Sequence, residues 1–254
     1  MDKQTLIRNF SRNAHLYDDY AQVQKQVAAK LLREIKEGHS PKILEIGCGT
    51  GNYTLILRKK FRNAKIRALD ICPEMVAIAK AKLKNTEVEF MIADAESVNL
   101  EESFNLVTSN ACFQWFADLE AALLKYKGLL KSKGRIAFSI FGPQTFPELS
   151  RVLKYTLPDN PIEAHKFKTL DDLKEILEKN FAEVKIKEIK YTESFSRLKD
   201  LLKKIKYTGV RGNGTNGKIL FNQKLLDKLE QSYLDKFKGI KATYQVFFCL
   251  GEKR

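Results

Sequence analysis

The segment Ile43–Tyr53 reads Ile-Leu-Glu-Ile-Gly-Cys-Gly-Thr-Gly-Asn-Tyr and is the most informative part of the sequence. A short apolar run ends in three glycines spaced two residues apart, and a helical pattern follows them. Glycine lets the backbone turn tightly and lets a ligand approach the main chain. A loop of this kind between a strand and a helix presents free N–H groups at the positive end of the helix dipole. The stretch therefore predicts a strand–loop–helix unit that binds a nucleotide-like cofactor.

The spacing of the glycines argues against two common nucleotide sites. A dinucleotide fingerprint, G-x-G-x-x-G, requires glycine at position 52, where this chain has Asn52. A P-loop requires Gly-Lys-Ser/Thr, and no such sequence follows the glycines. The loop is therefore predicted to bind a different ligand.

The length of the chain bounds its organisation. At 254 residues it can form one large α/β domain, whereas two full domains would be crowded. We predict one domain over 1–254, with N-terminal helices in 1–40, a cofactor-binding core in 41–142, and cap helices with the last two strands in 143–254. The N-terminus lacks an apolar signal region, and no stretch is apolar over the length of a membrane span. We expect a soluble, cytoplasmic protein with no membrane segment.

The net charge, the histidines and the cysteines say less about function than the glycine loop does. The formal net charge of +14 favours encounters with acidic partners, whether nucleic acids, anionic membranes or acidic proteins. It does not choose among them, and a solvated lysine-rich surface explains it equally well. The three histidines are isolated, so no metal site is predicted. The cysteines are far apart in apolar segments and are interpreted as reduced core thiols: Cys48, Cys72, Cys112 and Cys249.

Apolar periodicity predicts strands that alternate with helices along most of the chain. The predicted strands are Lys42–Ile46, Lys65–Leu69, Val88–Ala93, Phe104–Thr108, Arg135–Phe141, Glu183–Tyr191 and Thr243–Leu250. The predicted helices are Ala21–Lys36, Tyr53–Phe61, Pro73–Leu83, Leu119–Leu130, Phe146–Tyr155, Leu170–Asn180, Leu198–Tyr207 and Gln223–Lys236. A turn is predicted at Lys131–Gly134 and a mobile surface loop at Gly209–Gly217. The alternation indicates an α/β fold.

Polar residues follow the ends of several predicted strands. Asp70 lies nineteen residues beyond Gly51, and an acidic residue at about that distance accepts hydrogen bonds from ribose hydroxyls in comparable folds. Asp94 and Ala95 follow the third strand, and Asn110 follows the fourth. A lone aspartate after a strand is more often a helix cap or an exposed carboxylate. Several such residues at one edge of an open α/β sheet instead predict a ligand site there.

Together these residues resemble a known family. The segment Glu45–Gly51, then Asp70, Asp94-Ala95 and Ser109–Phe116, resemble motifs I to IV of class I S-adenosylmethionine-dependent methyltransferases. The segment Phe10–Gln24 looks like the opening of the malonyl-[acyl-carrier protein] O-methyltransferases of the biotin pathway. Further local matches to that family are Ser109–Trp115, Phe146–Leu149, Leu202–Gly209 and Thr243–Phe248. The resemblance implies a Rossmann-like seven-stranded sheet, mostly parallel with an antiparallel last strand, N-terminal helices and a helical substrate cap.

The same resemblance implies an activity and a partner. The expected reaction transfers methyl from S-adenosylmethionine, leaving S-adenosylhomocysteine, to the free carboxylate of a malonyl thioester. The expected acceptor is malonyl-acyl-carrier protein, whose methyl ester primes pimeloyl and biotin synthesis. The partner would be an acidic carrier protein with a phosphopantetheine arm, docked on lysines of the cap such as Lys199, Lys203, Lys204 and Lys206.

The resemblance also implies roles for individual residues. Gly47, Gly49 and Gly51 would lie against the methionine part of the cofactor, and Asp70 would accept the ribose hydroxyls. Around the adenine, Ile71 and Met75 would flank the ring, Asp94 would accept from its amino group, and Ala95 would supply a backbone contact. The predicted cofactor site is completed by Gln24, Glu45, Cys48 and Asn110.

The acceptor side needs different chemistry. A carboxylate has a pKa of roughly 4, so it is already ionised and needs no general base. The protein has to align the reacting atoms and exclude water. Tyr17, Gln114 and Trp115 are predicted around the methyl group, since they combine planar surface with hydrogen-bonding capacity, although Trp115 could equally be a core residue. Candidates to bind the substrate carboxylate are Arg12, Arg151 and Arg211, of which only Arg12 lies in a matched motif.

Three alternatives remain at this point. The positive charge would suit a nucleic-acid methyltransferase, but Asn110 is followed by Ala-Cys-Phe, without the Pro-Pro-Tyr/Phe typical of base-methylating enzymes. A small free carboxylic acid could be the acceptor. The chain could also be a non-catalytic subunit that binds S-adenosylmethionine. The sequence leaves open the choice between carrier protein and coenzyme A, and the oligomeric state.

Overall fold

Seven strands form one sheet in the computed structural model, which describes residues 2–36, 42–156, 162–208 and 222–254. The strands are β1 (Lys42–Ile46), β2 (Lys65–Asp70), β3 (Val88–Ile92), β4 (Phe104–Asn110), β5 (Leu130–Phe141), β6 (Ala182–Phe195) and β7 (Ile240–Glu252). Their order across the sheet is β3-β2-β1-β4-β5-β7-β6. The pairs among β1 to β5 are parallel, whereas β7 is antiparallel to both neighbours. The predicted fold class, including the antiparallel last strand, is confirmed.

Ten α-helices surround this sheet within the described residues. They are α1 (Lys3–Ser11), α2 (Tyr17–Tyr20), α3 (Gln22–Glu34), α4 (Asn52–Lys60), α5 (Pro73–Lys82), α6 (Leu119–Gly128), α7 (Pro147–Thr156), α8 (Leu170–Asn180), α9 (Leu198–Tyr207) and α10 (Gln223–Phe237). Short 3-10 turns lie at Ala14–Leu16, Phe113–Trp115 and Glu163–Lys166. The predicted helices and the observed ones agree within a few residues at each end, which is the usual uncertainty of helix boundaries.

Helices cover both faces of the sheet, so its central strands are largely buried and mostly apolar. Residues 43–46 of β1 are all buried. On one face the apolar side of α3, with Val23, Val27 and Leu31, packs in the same core as Leu106 and Phe248. On the other face α6 and α8 enclose a second core that includes Leu123 and Leu173. The carboxyl ends of β1, β2 and β4 are thereby held rigidly at one edge.

The start of β5 differs from the prediction. Lys131–Gly134 was predicted as a turn, which is wrong, because β5 already begins at Leu130, where it pairs with Phe104. The pairing shifts register before Leu106, and Lys133 has a φ of +57°. The Lys- and Gly-containing sequence thus forms a β-bulge, which has the same local residue preferences as a turn.

The last two strands are longer than predicted. β6 and β7 pair from Ala182 with Glu252 to Phe195 with Ile240. Alternate residues of β6 face solvent and are mostly charged, so the apolar pattern understates its length. The predicted loop Gly209–Gly217 lies outside the described residues.

None of the helices in the described residues is both long enough and apolar enough to cross a membrane. No group of three or more His, Cys, Asp and Glu side chains is arranged to hold a metal ion in the same part of the chain.

Candidate active site

The glycine loop joins β1 to α4 and is fixed by the backbone of β2. The N–H groups of Gly47 and Cys48 both donate to the carbonyl of Leu69, at 2.8 and 3.0 Å. All three glycines adopt left-handed φ values, +71° at Gly47, +52° at Gly49 and +81° at Gly51. Residues with a Cβ adopt this conformation only under strain. The loop conformation therefore requires glycine at each position.

The three glycines differ in what surrounds them. A Cβ on Gly47 would lie 2.3 Å from Cys112 Sγ, and one on Gly51 would lie 2.8 Å from Leu83 Cδ1. A Cβ on Gly49 would meet nothing within 4 Å. Gly47 and Gly51 thus allow close packing within the protein, whereas Gly49 borders open space. Gly49 is therefore a position at which the backbone is open to a ligand, while Gly47 lines the small cavity beside Asp70.

Glu45 lies directly below this loop and is completely buried. Neither of its carboxylate oxygens has a hydrogen-bond partner within the described residues. Burial raises the pKa of Glu45 to about 8, the charge of Asp70 adds to the rise, and the nearby Thr54 hydroxyl opposes it. A buried acceptor without a partner is costly, so this carboxyl group suits a ligand that brings a hydrogen-bond donor.

Asp70 ends β2 and contacts the glycine loop. Its Oδ2 accepts the N–H of Gly49 at 2.8 Å, and its Oδ1 accepts the N–H of Cys72 at 2.9 Å. Burial raises the pKa of Asp70, while these two N–H groups oppose that rise. Each oxygen retains acceptor capacity, since a carboxylate has about four acceptor positions. Asp70 therefore shapes the loop and can also accept two ligand hydroxyls.

The residues predicted near the adenine have partners within the protein. Asp94 Oδ2 forms an ion pair with Lys3 Nζ at 2.5 Å, and Lys3 also pairs with Glu96 at 2.9 Å. The carbonyl of Ala95 accepts the hydroxyl of Tyr126 at 2.6 Å. A ligand amino group at Asp94 would have to share or replace the Lys3 contact.

Several further cofactor-site predictions concern the walls of the site. Ile71 lines the small cavity beside Asp70, and Met75 is buried in a cluster with Ala14 that also contacts Tyr17. Cys48 is buried, and burial holds its thiol pKa well above the usual range. Such a thiol is unreactive and serves as packing.

Gln24 and Asn110 connect α3 to the carboxyl end of β4. Asn110 Nδ2 donates to the carbonyl of Gln24 at 3.2 Å, and Asn110 Oδ1 accepts the hydroxyl of Ser139 at 2.9 Å. Gln24 is buried, and its Oε1 has no partner in the described residues. Gln24 Oε1 is thereby a hydrogen-bond acceptor at the edge of the site that has no partner in the described residues.

Aromatic residues from three parts of the chain meet where the acceptor side is predicted. The ring of Trp115 meets Phe10 edge-on at 6.4 Å and Phe167 at 5.6 Å. Phe10 in turn lies 6.3 Å from Tyr17. Burial raises the pKa of Tyr17, with further contributions from Asp70 and Asp18, so its hydroxyl stays protonated at neutral pH. Tyr17 is consequently a hydrogen-bond donor close to the cofactor loop.

Gln114 is held beside this group. Its Nε2 donates to the carbonyl of Ala111 at 2.7 Å, and its Oε1 is buried without a partner in the described residues. Trp115 is half-buried and lines the same small cavity as Asp70. The structure therefore brings the three residues predicted around the methyl group to one end of the sheet.

The arginines predicted for the substrate are dispersed. Arg12, which follows α1, and Arg151, on α7, are both exposed, and Arg211 lies outside the described residues. Lys204, predicted as an exposed docking residue, is buried and pairs with Glu193 at 2.5 Å and Gln22 at 3.0 Å. That prediction was wrong because Lys204 faces the core side of the amphipathic helix α9.

The N-terminal segment covers the site, and the sequence analysis did not anticipate how closely. We call α1, the following 3-10 turn and α2 the N-terminal cover (residues 3–20). Lys3 and Leu6 of the cover line a cavity of about 50 Å³ together with Asp70, Asp94 and Trp115. This cavity is smaller than typical ligand pockets, which measure about 300–1,000 Å³. Phe10 and Lys3 contact the site, and only Phe10 lay in a recognisable motif.

A larger cavity, of about 370 Å³, lies at the opposite end of the strands. Its lining includes Arg135 at the start of the regular part of β5 and Gly251 near the end of β7. Open α/β sheets bind ligands at the carboxyl ends of their parallel strands, which is the other edge. This cavity is therefore separate from the candidate active site.

The residues present fit S-adenosylmethionine at the carboxyl edge. Gly49 offers an approach to the main chain, Asp70 offers acceptors for hydroxyls, and Glu45 has two buried oxygens without partners in the described residues. These three features are the ones that a cationic, hydroxyl-bearing ligand would satisfy. The assignment of individual contacts stays a prediction.

Replacing Glu45 by glutamine is expected to stabilise the cofactor-free protein at alkaline pH and to change little near pH 5. The Glu45 pKa is about 8 in the fold and 4.5 ordinarily, so between these values the fold retains a proton that the unfolded chain releases. The free energy of unfolding of the wild type therefore falls as pH rises through this window, and glutamine removes that slope. Urea unfolding at about pH 5 and about pH 9 measures the difference. Parallel pH dependences for the two proteins would contradict the raised pKa.

Comparison with known proteins agrees with this geometry. Residues 44–138 match the family model described as a methyltransferase domain. The chain is 40% identical to malonyl-[acyl-carrier protein] O-methyltransferase 1 of Ilyobacter polytropus, covering 100% of this chain and 96% of that protein. It is 33% identical to malonyl-[acyl-carrier protein] O-methyltransferase of Bacillus cytotoxicus, with 100% and 93% covered.

Solved structures show the same fold at low identity. The YcgJ protein from Bacillus subtilis aligns with a TM-score of 0.63 at 16% identity, covering 90% of this chain and 98% of that one. Phosphoethanolamine N-methyltransferase 2 of Haemonchus contortus, solved with S-adenosylmethionine, aligns at 0.61 and 18% identity, covering 98% and 60%. The class I methyltransferase fold predicted from the sequence is confirmed, as is the prediction of S-adenosylmethionine as cofactor. The chain belongs to the malonyl-[acyl-carrier protein] O-methyltransferase family of S-adenosylmethionine-dependent enzymes.

Proposed function

We propose that this protein transfers a methyl group from S-adenosylmethionine to the free carboxylate of a malonyl thioester carried by acyl-carrier protein. The product would be the methyl ester that primes pimeloyl synthesis. The observation that carries the proposal is the similarity to the relatives named above, which extends over the whole chain. It includes the N-terminal cover and the cap, which we propose border the acceptor, and is not confined to the cofactor core at 44–138.

The chemistry of the acceptor side supports a carboxylate. S-adenosylmethionine supplies an electrophilic methyl group when bound. A carboxylate nucleophile is ionised at neutral pH, since its ordinary pKa is roughly 4, so no general base is needed. The aromatic residues Phe10, Trp115 and Phe167 provide surface that excludes water from the reacting oxygen. Tyr17 remains protonated and can donate one hydrogen bond to orient that oxygen.

A neutral donor suits this reaction better than an arginine clamp. Two charged hydrogen bonds to the carboxylate would stabilise the ground state and lower its nucleophilicity. Tyr17 provides a single neutral hydroxyl, while Arg12 is exposed at the end of α1. We propose that Tyr17 orients the carboxylate, and that Arg12 contributes attraction at longer range.

The carrier protein is proposed to dock on the exposed lysines of α9. Lys199, Lys203 and Lys206 are exposed, whereas Lys204 is buried and excluded from this surface. Pairing of this surface with an acidic partner would be weakened by salt, because the Debye length falls from about 10 Å at 0.1 M to about 3 Å at 1 M.

We expect the affinity for malonyl-acyl-carrier protein to fall by about tenfold or more between low and high salt. Reversing the three exposed charges (K199E, K203E, K206E) is expected to raise KM for the carrier-bound acceptor and to leave KM for malonyl-coenzyme A nearly unchanged. Fluorescence anisotropy with labelled carrier protein measures the affinity. Equal affinity at low and high salt would rule out this docking mode.

Methyl transfer from labelled S-adenosylmethionine tests the acceptor directly. Malonyl-carrier protein, malonyl-coenzyme A, small diacids and RNA are compared in parallel at equal concentrations. Acetyl-carrier protein is the matched control, since it has the same arm and protein but no free carboxylate. We expect the highest kcat/KM with malonyl-carrier protein and no transfer to acetyl-carrier protein. Faster transfer to a diacid or RNA would replace this function, and cofactor binding without any transfer would indicate a non-catalytic subunit.

A further inference from the structure

The carboxylate of Asp18 lies at the centre of a polar network that none of the roles above uses. Its Oδ1 accepts the hydroxyl of Thr50 at 2.6 Å and Asn52 Nδ2 at 2.7 Å. Its Oδ2 forms an ion pair with Lys82 Nζ at 2.7 Å. These partners come from the glycine loop, the start of α4 and the end of α5.

The partners also contact one another. Lys82 Nζ donates to Asn52 Oδ1 at 2.7 Å, and Asn52 Nδ2 lies 3.2 Å from the hydroxyl of Thr50. Lys25 Nζ donates to the backbone carbonyl of Asp18 at 2.6 Å. Burial opposes ionisation of Asp18, but the hydrogen bonds from Lys82, Thr50 and Asn52 outweigh it and lower its pKa. A network with this many mutual partners orders the groups that form it.

Helix capping does not explain Asp18. Asp18 lies in the first turn of α2, but it does not cap the helix, because α2 has no side-chain cap hydrogen bond. In the described contacts, the Asp18 carboxylate accepts hydrogen bonds only from side chains. The adjacent Asp19 is exposed. Asn52 stands where the dinucleotide fingerprint has its last glycine, so the departure from that fingerprint supplies a side chain for this network.

The network joins the two sides of the candidate active site. Thr50 lies between Gly49 and Gly51, and Asp18 is next to Tyr17. Fixing Asp18 to Thr50 and Asn52 therefore fixes the backbone that carries Tyr17 relative to the loop that faces the cofactor. Displacements of about 1 Å at a reacting group can cost about 100-fold in rate, so such fixing has functional weight.

We propose that Asp18 is a positioning residue that holds Tyr17 and the N-terminal cover against the glycine loop, so that cofactor binding and closure of the cover depend on each other. The role of Tyr17 at the acceptor rests on the proposed function. The link between Asp18 and the cofactor loop does not, because it can be measured without an acceptor.

The test uses the full chain with D18N and the matched control D19N, which changes the neighbouring exposed carboxylate. Calorimetric titration with S-adenosylhomocysteine measures the cofactor site alone. Loss of the Asp18 charge, which Lys82, Thr50 and Asn52 share, is expected to weaken this binding by about tenfold in D18N, whereas D19N is expected to leave it unchanged. With the acceptor, D18N is expected to raise KM for S-adenosylmethionine and to lower kcat.

A spectroscopic reading separates positioning from general loss of stability. Trp115 is the single tryptophan and contacts Phe10 of the cover, so its fluorescence reports how the cover is seated. In D18N we expect a red-shifted emission without ligand, which returns towards the wild-type emission at saturating S-adenosylhomocysteine. Thermal unfolding of the same samples provides the stability comparison.

K82M removes the cation and keeps the neutral partners of Asp18, so we expect the same changes in ligand affinity and tryptophan emission, at smaller size. If D18N does not fold, K82M is used in its place. Wild-type affinity and emission in D18N, or a loss of thermal stability with unchanged ligand affinity, would overturn the proposal. The binding and fluorescence measurements use no acceptor. They therefore still decide the role of Asp18 if malonyl-carrier protein does not accept methyl groups.

Discussion

Replacing Gly49 by alanine is expected to weaken binding of S-adenosylhomocysteine by about 100-fold, a loss of about 2.7 kcal/mol. The new methyl group would meet no protein atom within 4 Å and would project into the open space beside the loop. That space is where the main chain is open to a ligand, so the methyl group would obstruct the approach. The left-handed φ of +52° adds strain of about 1–2 kcal/mol to the fold.

Gly51→Ala serves as the contrasting control. Its Cβ would lie 2.8 Å from Leu83 Cδ1 and 3.1 Å from Ala79 Cβ. Overpacking of about 1–3 kcal/mol, added to backbone strain, should make this variant clearly less stable than Gly49→Ala. Urea unfolding and calorimetric titration of both variants measure the two effects separately. If Gly49→Ala bound the ligand like the wild type, the assignment of the open glycine would be incorrect.

Replacing Asp70 by asparagine is expected to have the second large effect, about 100-fold or more on the same affinity. The carboxylate accepts N–H groups from Gly49 and Cys72 with different oxygens. An asparagine offers one acceptor oxygen, so one of these N–H groups would face an NH2 group and the loop would shift. The variant would also lose acceptor capacity towards the ribose hydroxyls.

Asp94→Asn provides the comparison for Asp70. Asp94 holds Lys3 of the N-terminal cover and contacts none of the glycines in the described hydrogen bonds. Its loss should therefore weaken binding less than the loss of Asp70, and part of the effect should come from release of the cover. Calorimetric titration of the two variants under the same conditions decides the order. A larger loss in Asp94→Asn would contradict the central place of Asp70.

The parts of the fold that were predictable from sequence are those whose signals are local. β1 was predicted at Lys42–Ile46 and the structure has the same bounds, because burial on both faces produces a mostly apolar run that stops at the glycines. Lys131–Gly134 was predicted as a turn because a β-bulge and a turn use the same residue types. Pairing of this segment with β4 distinguishes the bulge from the turn in the structure. The paired residues are distant in sequence, so the local pattern did not reveal the pairing.

The same reasoning applies to the site. The loop, Asp70 and Tyr17 belong to short motifs, so their meeting at one end of the sheet was predictable, and their individual roles stay predictions. The contact between Lys3 and Asp94 joins residues 91 positions apart, and the contact between Asp18 and Lys82 joins residues 64 apart. Lys204 was misplaced because its partner Glu193 is on β6. Single-sequence patterns do not carry such pairings, which depend on the assembled fold.

The proposed function requires that the free carboxylate of a carrier-bound malonyl group receives the methyl group. Intact-mass and fragment analysis of malonyl-carrier protein, after incubation with the enzyme and S-adenosylmethionine, tests this directly. We expect addition of one methyl group per carrier protein, located as an ester on the malonyl carboxylate and matched by an equal amount of S-adenosylhomocysteine. Unmodified malonyl-carrier protein, under conditions where the enzyme methylates another acceptor, would contradict it.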